Sequence, residues 1–322
     1  MKVLVYGAGV LGCELASTLC RGKAHVTLLA RGAWKDTIDQ RGLAVRHVLQ
    51  LRTTHDRLTT VDHLEPHWVF DLIFVAVRAS QLPEALPELR ANLSRHIVFI
   101  GNNAAPEETA RQLLTGSAGD KEVAFGFLSA AGRRDGTRVV CFHKGVHLTI
   151  GGLGQPLSEK FRKLLDKAAH RTPLRYRRET EMGAWLKGHL ALLLPLCYAV
   201  YAHHGRIQDL SSDQRARCMD AAQEGRVLLQ KLSVPLQAVS SPDCFRPGAN
   251  RRSMSLLLLL LVKTPLGPLW AGHHAMYAVE EFRLLDQVFE TCRAAANVVM
   301  PVWDSLRQEC LPVLHPTHHH HS

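Results

Sequence analysis

The sequence predicts an α/β fold, in which a doubly wound parallel sheet occupies the first half and an all-helical C-terminal domain follows. In the first half, short apolar runs alternate with helical patterns, as in parallel sheets whose strands are joined by helices. A glycine-rich turn follows the first of these runs. After about Glu179 the strand pattern disappears, and apolar residues recur with the period of an α-helix.

The chain has 322 residues, the length expected for two domains of about 150 residues each. We place the first domain at residues 1–178 and the second at 179–315. Residues 316–322 contain the run His318–His321, which we interpret as a tag or a disordered tail. A cleft between the domains is the expected ligand site, because ligands often bind where domains meet.

The predicted elements of the first domain are four strands, three helices and a hairpin. The strands are Lys2–Tyr6, His25–Leu29, Asp71–Val77 and His96–Ile100. The helices are Val10–Arg21, Ser80–Ala91 and Glu107–Leu114. The hairpin follows Gly136 and pairs Thr137–Cys141 with Val146–Ile150. The second domain is predicted to contain four long helices, which are Met182–Ala202, Ser212–Lys231, Arg251–Lys263 and Pro268–Asn297.

Charge and cysteine content narrow the class of protein. A formal net charge of +10 favours anionic partners such as nucleotide cofactors and carboxylate substrates. No dense Lys/Arg run is interleaved with aromatic residues, so no nucleic-acid partner is expected. The eight cysteines include no C-x-x-C pair, which favours free thiols and a cytoplasmic location. We expect no signal peptide before the first strand, and apolar stretches shorter than about 20 residues predict no membrane span.

Gly7, Gly9 and Gly12 form the pattern G-x-G-x-x-G between the first strand and the first helix. There the first glycine permits a tight turn, the second lets the backbone approach a pyrophosphate, and the third lets helix and strand pack closely. The N–H groups at the helix start then bind phosphate. An ordinary glycine-rich turn is the alternative. The predicted dinucleotide site comprises Gly7, Ala8, Gly9, Val10, Leu11 and Gly12.

The residue at the end of the second strand predicts which dinucleotide binds. Proteins that bind NAD usually have a carboxylate there, which accepts hydrogen bonds from the ribose hydroxyls. This sequence instead has Arg31, whose guanidinium can donate hydrogen bonds to a 2′-phosphate. The cofactor is therefore predicted to be NADP(H), unless Arg31 is a solvated surface residue.

Four later stretches can be compared with known families. They are Asp71–Gln81, Ile100–Asn103, Trp185–Lys187, and Glu281 placed twenty residues before Pro301. Together with the glycine loop they resemble the ketopantoate reductase (2-dehydropantoate 2-reductase) family. The resemblance implies three roles: cofactor binding by Arg78 and Gln81, a place beside nicotinamide and substrate for Asn102, and active-site functions for Lys187 and Glu281.

Two positions depart from the family pattern. The family's lysine is followed, one and two helical turns later, by asparagines that face the substrate, and this sequence has Ala191 and Pro195 there. Other stretches, among them Asn102-Asn103 and Trp185-Leu-Lys187, resemble a divergent bacterial branch of the family. The resemblance therefore implies the family's chemistry with a different substrate specificity.

Reduction of a 2-oxo acid needs a hydride donor, a proton donor at the carbonyl oxygen and a cation for the carboxylate. The nicotinamide supplies the hydride. Lys187 interrupts an almost wholly apolar run, and its ammonium in a closed cleft would stabilise the developing alkoxide. The alternative is a lysine that reaches solvent from an amphipathic helix. Asn102 could orient nicotinamide or substrate, or could be an ordinary turn residue.

On the last long helix, His274 and Tyr277 lie seven and four residues before Glu281 and share its face. These three side chains could bind the substrate, and Glu281 could then anchor either the substrate or Lys187. The alternative is that they face solvent. His189 follows Lys187 by two residues and so points away from it. The adjacent pairs His203-His204 and His273-His274 lack the spacing of metal ligands, so no metal site is predicted.

These observations predict an NADPH-dependent reductase of a small 2-oxo acid or a related carbonyl compound. Two alternatives stay open: an NADP(H)-binding sensor without turnover, and a reductase that forms opines or other amines from imines. The expected partners are a carboxylate substrate and, if Met254–Val262 is exposed, a second copy of the chain in a homodimer.

Overall fold

The structure, a computed structural model, describes residues 1–236, 258–260, 262–263 and 279–314. The chain divides into two compact units, Met1–Gly183 and Ala184–Ser322. The predicted boundary at 178/179 lies five residues before this division. The N–H of Met182 still donates a hydrogen bond to the Gly152 carbonyl oxygen, at 3.2 Å, so this segment packs with the first unit.

The first unit contains twelve strands and five helices. The strands are β1 (Lys2–Tyr6), β2 (His25–Leu29), β3 (Leu43–His47), β4 (Arg52–Asp56), β5 (Thr59–Val61), β6 (Leu72–Val75), β7 (His96–Ile100), β8 (Glu122–Leu128), β9 (Ala131–Asp135), β10 (Arg138–Phe142), β11 (His147–Gly151) and β12 (Arg175–Arg178). The helices are α1 (Val10–Cys20), α2 (Gly32–Arg41), α3 (Leu82–Ala91), α4 (Pro106–Leu114) and α5 (Glu159–Ala169).

Eight strands form the main sheet in the order β12-β11-β8-β7-β6-β1-β2-β5. From β5 to β8 every neighbouring pair is parallel, whereas β11 is antiparallel to β8. The six parallel strands follow the chain order 3-2-1-4-5-6, which is the doubly wound Rossmann arrangement that binds dinucleotides. The predicted fold class is confirmed. Ligands of such sheets bind beyond the carboxyl ends of the strands where the winding reverses, here at β1.

The central strands are nearly continuous apolar sequences, because helices cover both faces of a parallel sheet. Val3, Leu4 and Val5 of β1 have no exposed surface, and the same holds for Leu72 and Phe74 of β6. This strong local signal explains why three predicted strands coincide with β1, β2 and β7 residue for residue.

A second sheet of four strands, in the order β4-β3-β10-β9, packs against α1. β3 and β10 pair in parallel, and the two outer strands are antiparallel to their neighbours. The helix α1 also contacts β1 and β2 of the main sheet. It is covered on both sides as a result, and every residue from Gly12 to Leu19 is buried.

The predicted hairpin of Thr137–Cys141 with Val146–Ile150 is wrong. Both segments are strands, but β10 belongs to the small sheet and β11 pairs with β8 in the main sheet. The true hairpin joins β9 to β10 through a two-residue turn that begins at Gly136, where φ is +58°. A glycine in a two-residue turn is a stronger hairpin signal than an alternating apolar pattern. Here that glycine is Gly136, and it pairs the strand before it with the strand after it.

The second unit is helical where the structure describes it. Its long helices are α6 (Met182–Ala202), which begins in the first unit, α7 (Ser212–Lys231), α8 (Val279–Ala296) and α9 (Pro301–Leu314). The first two coincide with the predicted helices, and α9 was not predicted. Residues 258–260 and 262–263 are also helical. The rest of the predicted helix Arg251–Lys263, and residues 268–278 of the predicted helix Pro268–Asn297, lie outside the described residues.

A buried polar network joins three helices of the second unit. The Tyr198 hydroxyl of α6 donates a hydrogen bond to Asp286 of α8 at 2.6 Å. The guanidinium of Arg307, on α9, donates two more to the same carboxylate, at 2.9 and 2.8 Å. Asp286 is only 3% exposed, so these three hydrogen bonds replace its hydration. The network fixes the register of the three helices.

The helix α6 is long and apolar enough to cross a membrane by length and composition. In the folded protein, 67% of its most apolar window is buried. One such helix is weak evidence for a membrane span, because the core helix of a soluble protein can be equally long and apolar.

Replacing Asp286 should destabilise the second unit far more than replacing the tyrosine that contacts it. Asp286→Ala leaves the guanidinium of Arg307 without its partner, at a cost of about 3 kcal/mol. Tyr198→Phe removes one hydrogen bond, at a cost of about 1 kcal/mol. Denaturant unfolding of both variants, followed by circular dichroism, measures the difference. Equal losses would show that the carboxylate does not organise the network.

Candidate functional site

The glycine loop leaves the sheet at the carboxyl end of β1, between β2 and β6. The Gly7 N–H donates a hydrogen bond to Leu29 O at 3.2 Å, and the Ala76 N–H donates one to Tyr6 O at 2.8 Å. Gly7 has a φ of +111°, which L side chains rarely adopt. A Cβ on Gly7 would lie 2.7 Å from the carbonyl oxygen of Ala76. Only glycine therefore fits this turn.

The other two glycines differ in what surrounds them. A Cβ on Gly12 would lie 1.9 Å from the carbonyl oxygen of Gly7, so this glycine is required for the helix to approach the strand. A Cβ on Gly9 would meet nothing within 4 Å. The backbone of Gly9 thus borders open space at the first turn of α1, where N–H groups lack partners within the helix. This opening and these donors fit a pyrophosphate.

Trp34 holds the loop from the other side, and sequence reasoning missed it. Its indole N–H donates a hydrogen bond to Ala8 O at 3.0 Å, and the side chain is nearly buried on α2. The guanidinium of Arg134 lies 5.2 Å from the ring centroid of Trp34. No local motif marks this tryptophan, because its partner precedes it by twenty-six residues. The contact keeps the loop backbone in one conformation.

Arg31 follows β2 at the same edge of the sheet, about half exposed. Its guanidinium donates hydrogen bonds to Glu88 at 3.1 Å, to the hydroxyl of Tyr6 at 3.2 Å and to the carbonyl oxygen of Asp62 at 3.2 Å. Burial and the Glu88 carboxylate raise the pKa of Tyr6, whose hydroxyl donates to Glu88 at 2.9 Å. The carboxylate of Glu88 thus lies beside Arg31, the residue predicted to bind the 2′-phosphate. Sequence reasoning missed Glu88, because it lies on α3, far from β2 in sequence.

Arg78 and Gln81 lie just beyond β6, the strand beside β1. Both side chains are exposed. The amide oxygen of Gln81 accepts a hydrogen bond from the Arg78 N–H at 3.1 Å, which caps the short 3₁₀ turn Ala79–Gln81. The described contact of Gln81 is therefore structural, whereas the guanidinium of Arg78 is exposed at the edge where the glycine loop lies.

Asn102 and Asn103 follow β7, the next strand along the same edge, and their amides differ. The side chain of Asn103 accepts from the Ala105 N–H at 2.9 Å and donates to Thr109 at 3.0 Å, which fixes the start of α4. The Oδ1 atom of Asn102 is buried without a hydrogen-bond partner among the described residues. A buried acceptor without a partner costs free energy, so Asn102 is the amide that a ligand would satisfy.

In the second unit, α6 carries Lys187, which is partly buried. Trp185 and His189 stack on each other with ring centroids 5.3 Å apart and an angle of 9° between the planes. Burial lowers the pKa of His189 to about 4, so its ring is neutral near pH 7. The helical spacing places this stacked pair on a different face of α6 from Lys187.

The positions that replace the family's asparagines pack against α7. Ala191 has no exposed surface, and a Cβ added to Gly225 would lie 3.1 Å from its methyl group. The thiol of Cys218 donates a hydrogen bond to the carbonyl oxygen of Pro195 at 3.5 Å. In this chain both positions therefore contribute to the packing of two helices.

Glu281 lies in the first turn of α8, partly buried. Burial, the two nearby cysteines and the Glu281 charge together raise the pKa of Cys197 to about 12. Burial, with a smaller contribution from Glu281, also raises the pKa of Tyr201. Cys197 and Tyr201, which the Glu281 charge affects, lie in the last third of α6. Cys197 is about 15 Å along the helix axis from Lys187. His274 and Tyr277 lie outside the described residues.

Part of the chain is similar in sequence to known reductases. Residues 3–155 match the model of the family described as ketopantoate reductase PanE/ApbA. A 2-dehydropantoate 2-reductase from Listeria monocytogenes is 28% identical over 143 residues, which are 44% of this chain and 46% of that protein. This match therefore spans about half the length of the curated relative.

Two solved structures align over nearly the whole chain. The PanE/ApbA family ketopantoate reductase of Ralstonia eutropha JMP134 covers 98% of both chains, with a TM-score of 0.72 and 18% identity. A D-mandelate dehydrogenase solved with NADH and anilino(oxo)acetate also covers 98% of both chains, with a TM-score of 0.75 and 13% identity. At such identities the likeness concerns the fold alone. Residues 3–155, slightly under half of the chain, are thus similar in sequence to the ketopantoate reductase family, as the sequence motifs indicated, and the fold of the whole chain is similar to that of a solved ketopantoate reductase.

Proposed function

We propose that the protein is an NADPH-dependent reductase of a small 2-oxo acid or a related carbonyl compound. The proposal rests on two features at one edge of the main sheet. The open backbone at Gly9 follows β1, and the Oδ1 atom of Asn102, which has no hydrogen-bond partner among the described residues, follows β7. Parallel strands with this order bind dinucleotides at that edge. The family match and the names of the relatives support the same class of reaction.

The first unit would hold the cofactor through groups already oriented toward that edge. The N–H groups at the start of α1 would donate to the pyrophosphate. Arg31 would donate to the 2′-phosphate, with Arg78 nearby, and Asn102 Oδ1 would accept a hydrogen bond from the carboxamide of the nicotinamide. When bound, the nicotinamide supplies a hydride to the carbonyl carbon of the substrate.

The proton for the substrate oxygen would come from Lys187. An ammonium donates a proton and stabilises negative charge on the oxygen as the carbonyl is reduced. Glu281 would position the substrate or the lysine, and the positive net charge of the chain would favour a carboxylate substrate. His274 and Tyr277 remain candidate substrate-binding residues.

The substrate would differ from ketopantoate, because the side chains at positions 191 and 195 offer no amide, and because Ala191 and the backbone carbonyl of Pro195 contact α7. A reductase acting on imines, which would form opines or other amines, could use the same proton donor. The loss of these amides also favours one rival from another class, an NADP(H) sensor without turnover. We further propose a cytoplasmic location, a homodimer as the candidate assembly, and no nucleic-acid or membrane partner.

The first experiment separates these candidates. NADPH and NADH are titrated into the protein by fluorescence, and the absorbance of reduced nicotinamide is then followed with a panel of substrates. The panel contains ketopantoate, phenylglyoxylate and smaller 2-oxo acids, each with and without amines. Turnover on any member supports the reductase, binding without turnover on the panel favours the sensor, and failure to bind either nucleotide contradicts both.

Replacing Lys187 should stop catalysis without affecting cofactor binding. The Lys187→Ala variant loses the proton donor, so we expect kcat to fall about a hundredfold or more while the Kd for NADPH stays unchanged. Lys231→Ala, an exposed lysine at the end of α7, is the matched control and should keep full activity. Retention of kcat in Lys187→Ala would remove this residue from the mechanism.

Two glycine substitutions separate cofactor contact from fold. Gly9→Ala meets no protein atom, so the variant should keep the stability of the parent but bind NADPH roughly tenfold more weakly, because the methyl group obstructs the pyrophosphate. Gly12→Ala clashes with Gly7 O and should lower the free energy of unfolding by about 3 kcal/mol. Thermal melts and nucleotide titrations of both variants measure these effects. Unchanged affinity in Gly9→Ala would argue against the loop as the pyrophosphate site.

Arg31 and Glu88 should act in opposite directions on cofactor choice. Arg31→Ala removes charge-assisted hydrogen bonds to the 2′-phosphate, so NADPH should bind roughly tenfold more weakly while NADH binding changes little. Glu88→Gln releases the guanidinium from its carboxylate and should tighten NADPH binding. The measured quantity is the ratio of the two Kd values in each variant. A ratio that Arg31→Ala leaves unchanged would refute the predicted preference for NADPH.

A further inference from the structure

Three ligand-type side chains meet in the interior of the first unit, away from the cofactor edge. They are Glu14 of α1, His47 of β3 and His143, which directly follows β10. All three are buried, with exposures of 0%, 1% and 6%. Buried charged and ring-nitrogen groups are costly unless they are paired or bind a metal. We refer to them as the Glu-His-His cluster.

The distances within the Glu-His-His cluster are nearly equal. His47 Nδ1 lies 3.3 Å from His143 Nε2 and 3.4 Å from Glu14 Oε2, and His143 Nε2 lies 3.3 Å from Glu14 Oε1. Ligand atoms at about 2.0–2.1 Å from a tetrahedral Zn²⁺ are separated by about 3.3–3.4 Å along each edge of the tetrahedron. The two contacts to Glu14 end on different oxygens, so both carboxylate oxygens face the two ring nitrogens, at separations similar to those between ligands of one Zn²⁺ ion.

A chain of hydrogen bonds fixes the tautomer of His47. Ser17 Oγ donates to Asp56 at 2.5 Å and lies 3.0 Å from Thr54 Oγ1, which in turn lies 3.1 Å from His47 Nε2. An ionised Asp56 supplies no proton. The Thr54 hydroxyl donates to Ser17 or to the carbonyl oxygen of Val45, 3.4 Å away, and in either case the proton in the contact between Thr54 and His47 Nε2 comes from His47.

That assignment directs a lone pair of His47 into the cluster. When Nε2 donates to Thr54, the lone pair of Nδ1 in the neutral ring is directed toward Glu14 and His143. This nitrogen faces Glu14 Oε2, which has no hydrogen-bond partner among the described residues. Ligating histidines commonly donate their second ring N–H to a neighbouring oxygen, as His47 does to Thr54.

Cys141 is a neighbour of the Glu-His-His cluster. It precedes His143 by two residues, is fully buried, and its thiol interacts with Glu14. Among the described residues, the side chains whose ligand atoms lie within 4.8 Å of one another are Glu14, His47 and His143, so the Cys141 thiol lies beside the proposed site without being one of its ligands.

We propose that Glu14, His47 and His143 form a zinc site that joins α1 to the small sheet. Zn²⁺ suits this set of one carboxylate and two imidazole ligands. The ion connects the helix that carries the glycine loop to β3 and to the end of β10. The site is separate from the proposed reductase chemistry and does not depend on it.

The test compares zinc binding by the full chain and two variants, after removal of metal with a chelator. His143→Asn removes one ligand, and His96→Asn removes a buried histidine outside the Glu-His-His cluster as the matched control. We expect the parent and His96→Asn to bind one more Zn²⁺ per chain than His143→Asn, and to gain thermal stability with zinc that His143→Asn does not gain. The run His318–His321 contributes equally to all three chains, so the difference isolates the cluster.

Cobalt gives a second readout that does not require the ligand variant to fold. Co²⁺ bound by the parent chain should show the intense visible bands of tetrahedral coordination, and Cys141→Ser, which leaves the three proposed ligands in place, should keep them. Equal zinc stoichiometry in the parent and His143→Asn, or a cobalt spectrum of octahedral type in the parent, would overturn the proposal and leave a cluster held together by shared protons.

Discussion

The close contact between Gly12 and Gly7 is the constraint on which the first unit depends. Because a Cβ at Gly12 would lie 1.9 Å from the carbonyl oxygen of Gly7, α1 can start directly beside the end of β1 only with glycine there. The first-turn N–H groups of α1 then border the open space at Gly9. The side chain of Trp34 holds the loop through Ala8 O, so the donors are oriented before any ligand arrives.

The same approach of α1 to the main sheet leaves its opposite face for the small sheet. A helix between two sheets has no solvent-facing side, and yet α1 carries Glu14, Ser17 and Thr18, all buried. Ser17 bonds to Thr54 and Asp56 of the small sheet, Glu14 faces His47 across the same boundary, and Thr18 donates to Glu14 within the helix. The polar interior and the cofactor loop are therefore two consequences of one helix position.

The sequence predicted those features that are encoded locally. Runs such as Lys2–Tyr6 are buried on both faces and can be recognised from apolar residues alone, and the glycine loop has a fixed spacing. The hairpin after Gly136 was mispaired, because strand partners depend on tertiary contacts that a local pattern does not contain. Glu88 beside Arg31, and His47 beside Glu14, were missed for the same reason, since each pair joins residues far apart in sequence.

The packing of α6 on α7 explains why the departure at position 191 is more than the loss of one amide. The methyl group of Ala191 would lie only 3.1 Å from a Cβ placed on Gly225, and that Cβ would also lie 3.0 Å from Trp303. Close packing leaves no room for a larger side chain at either position unless the helices move apart. An asparagine at position 191 and the present contact with α7 therefore exclude each other. A return to the family's residue at this position would require compensating changes in α7, so the identity of residue 191 is coupled to the architecture of the helical unit.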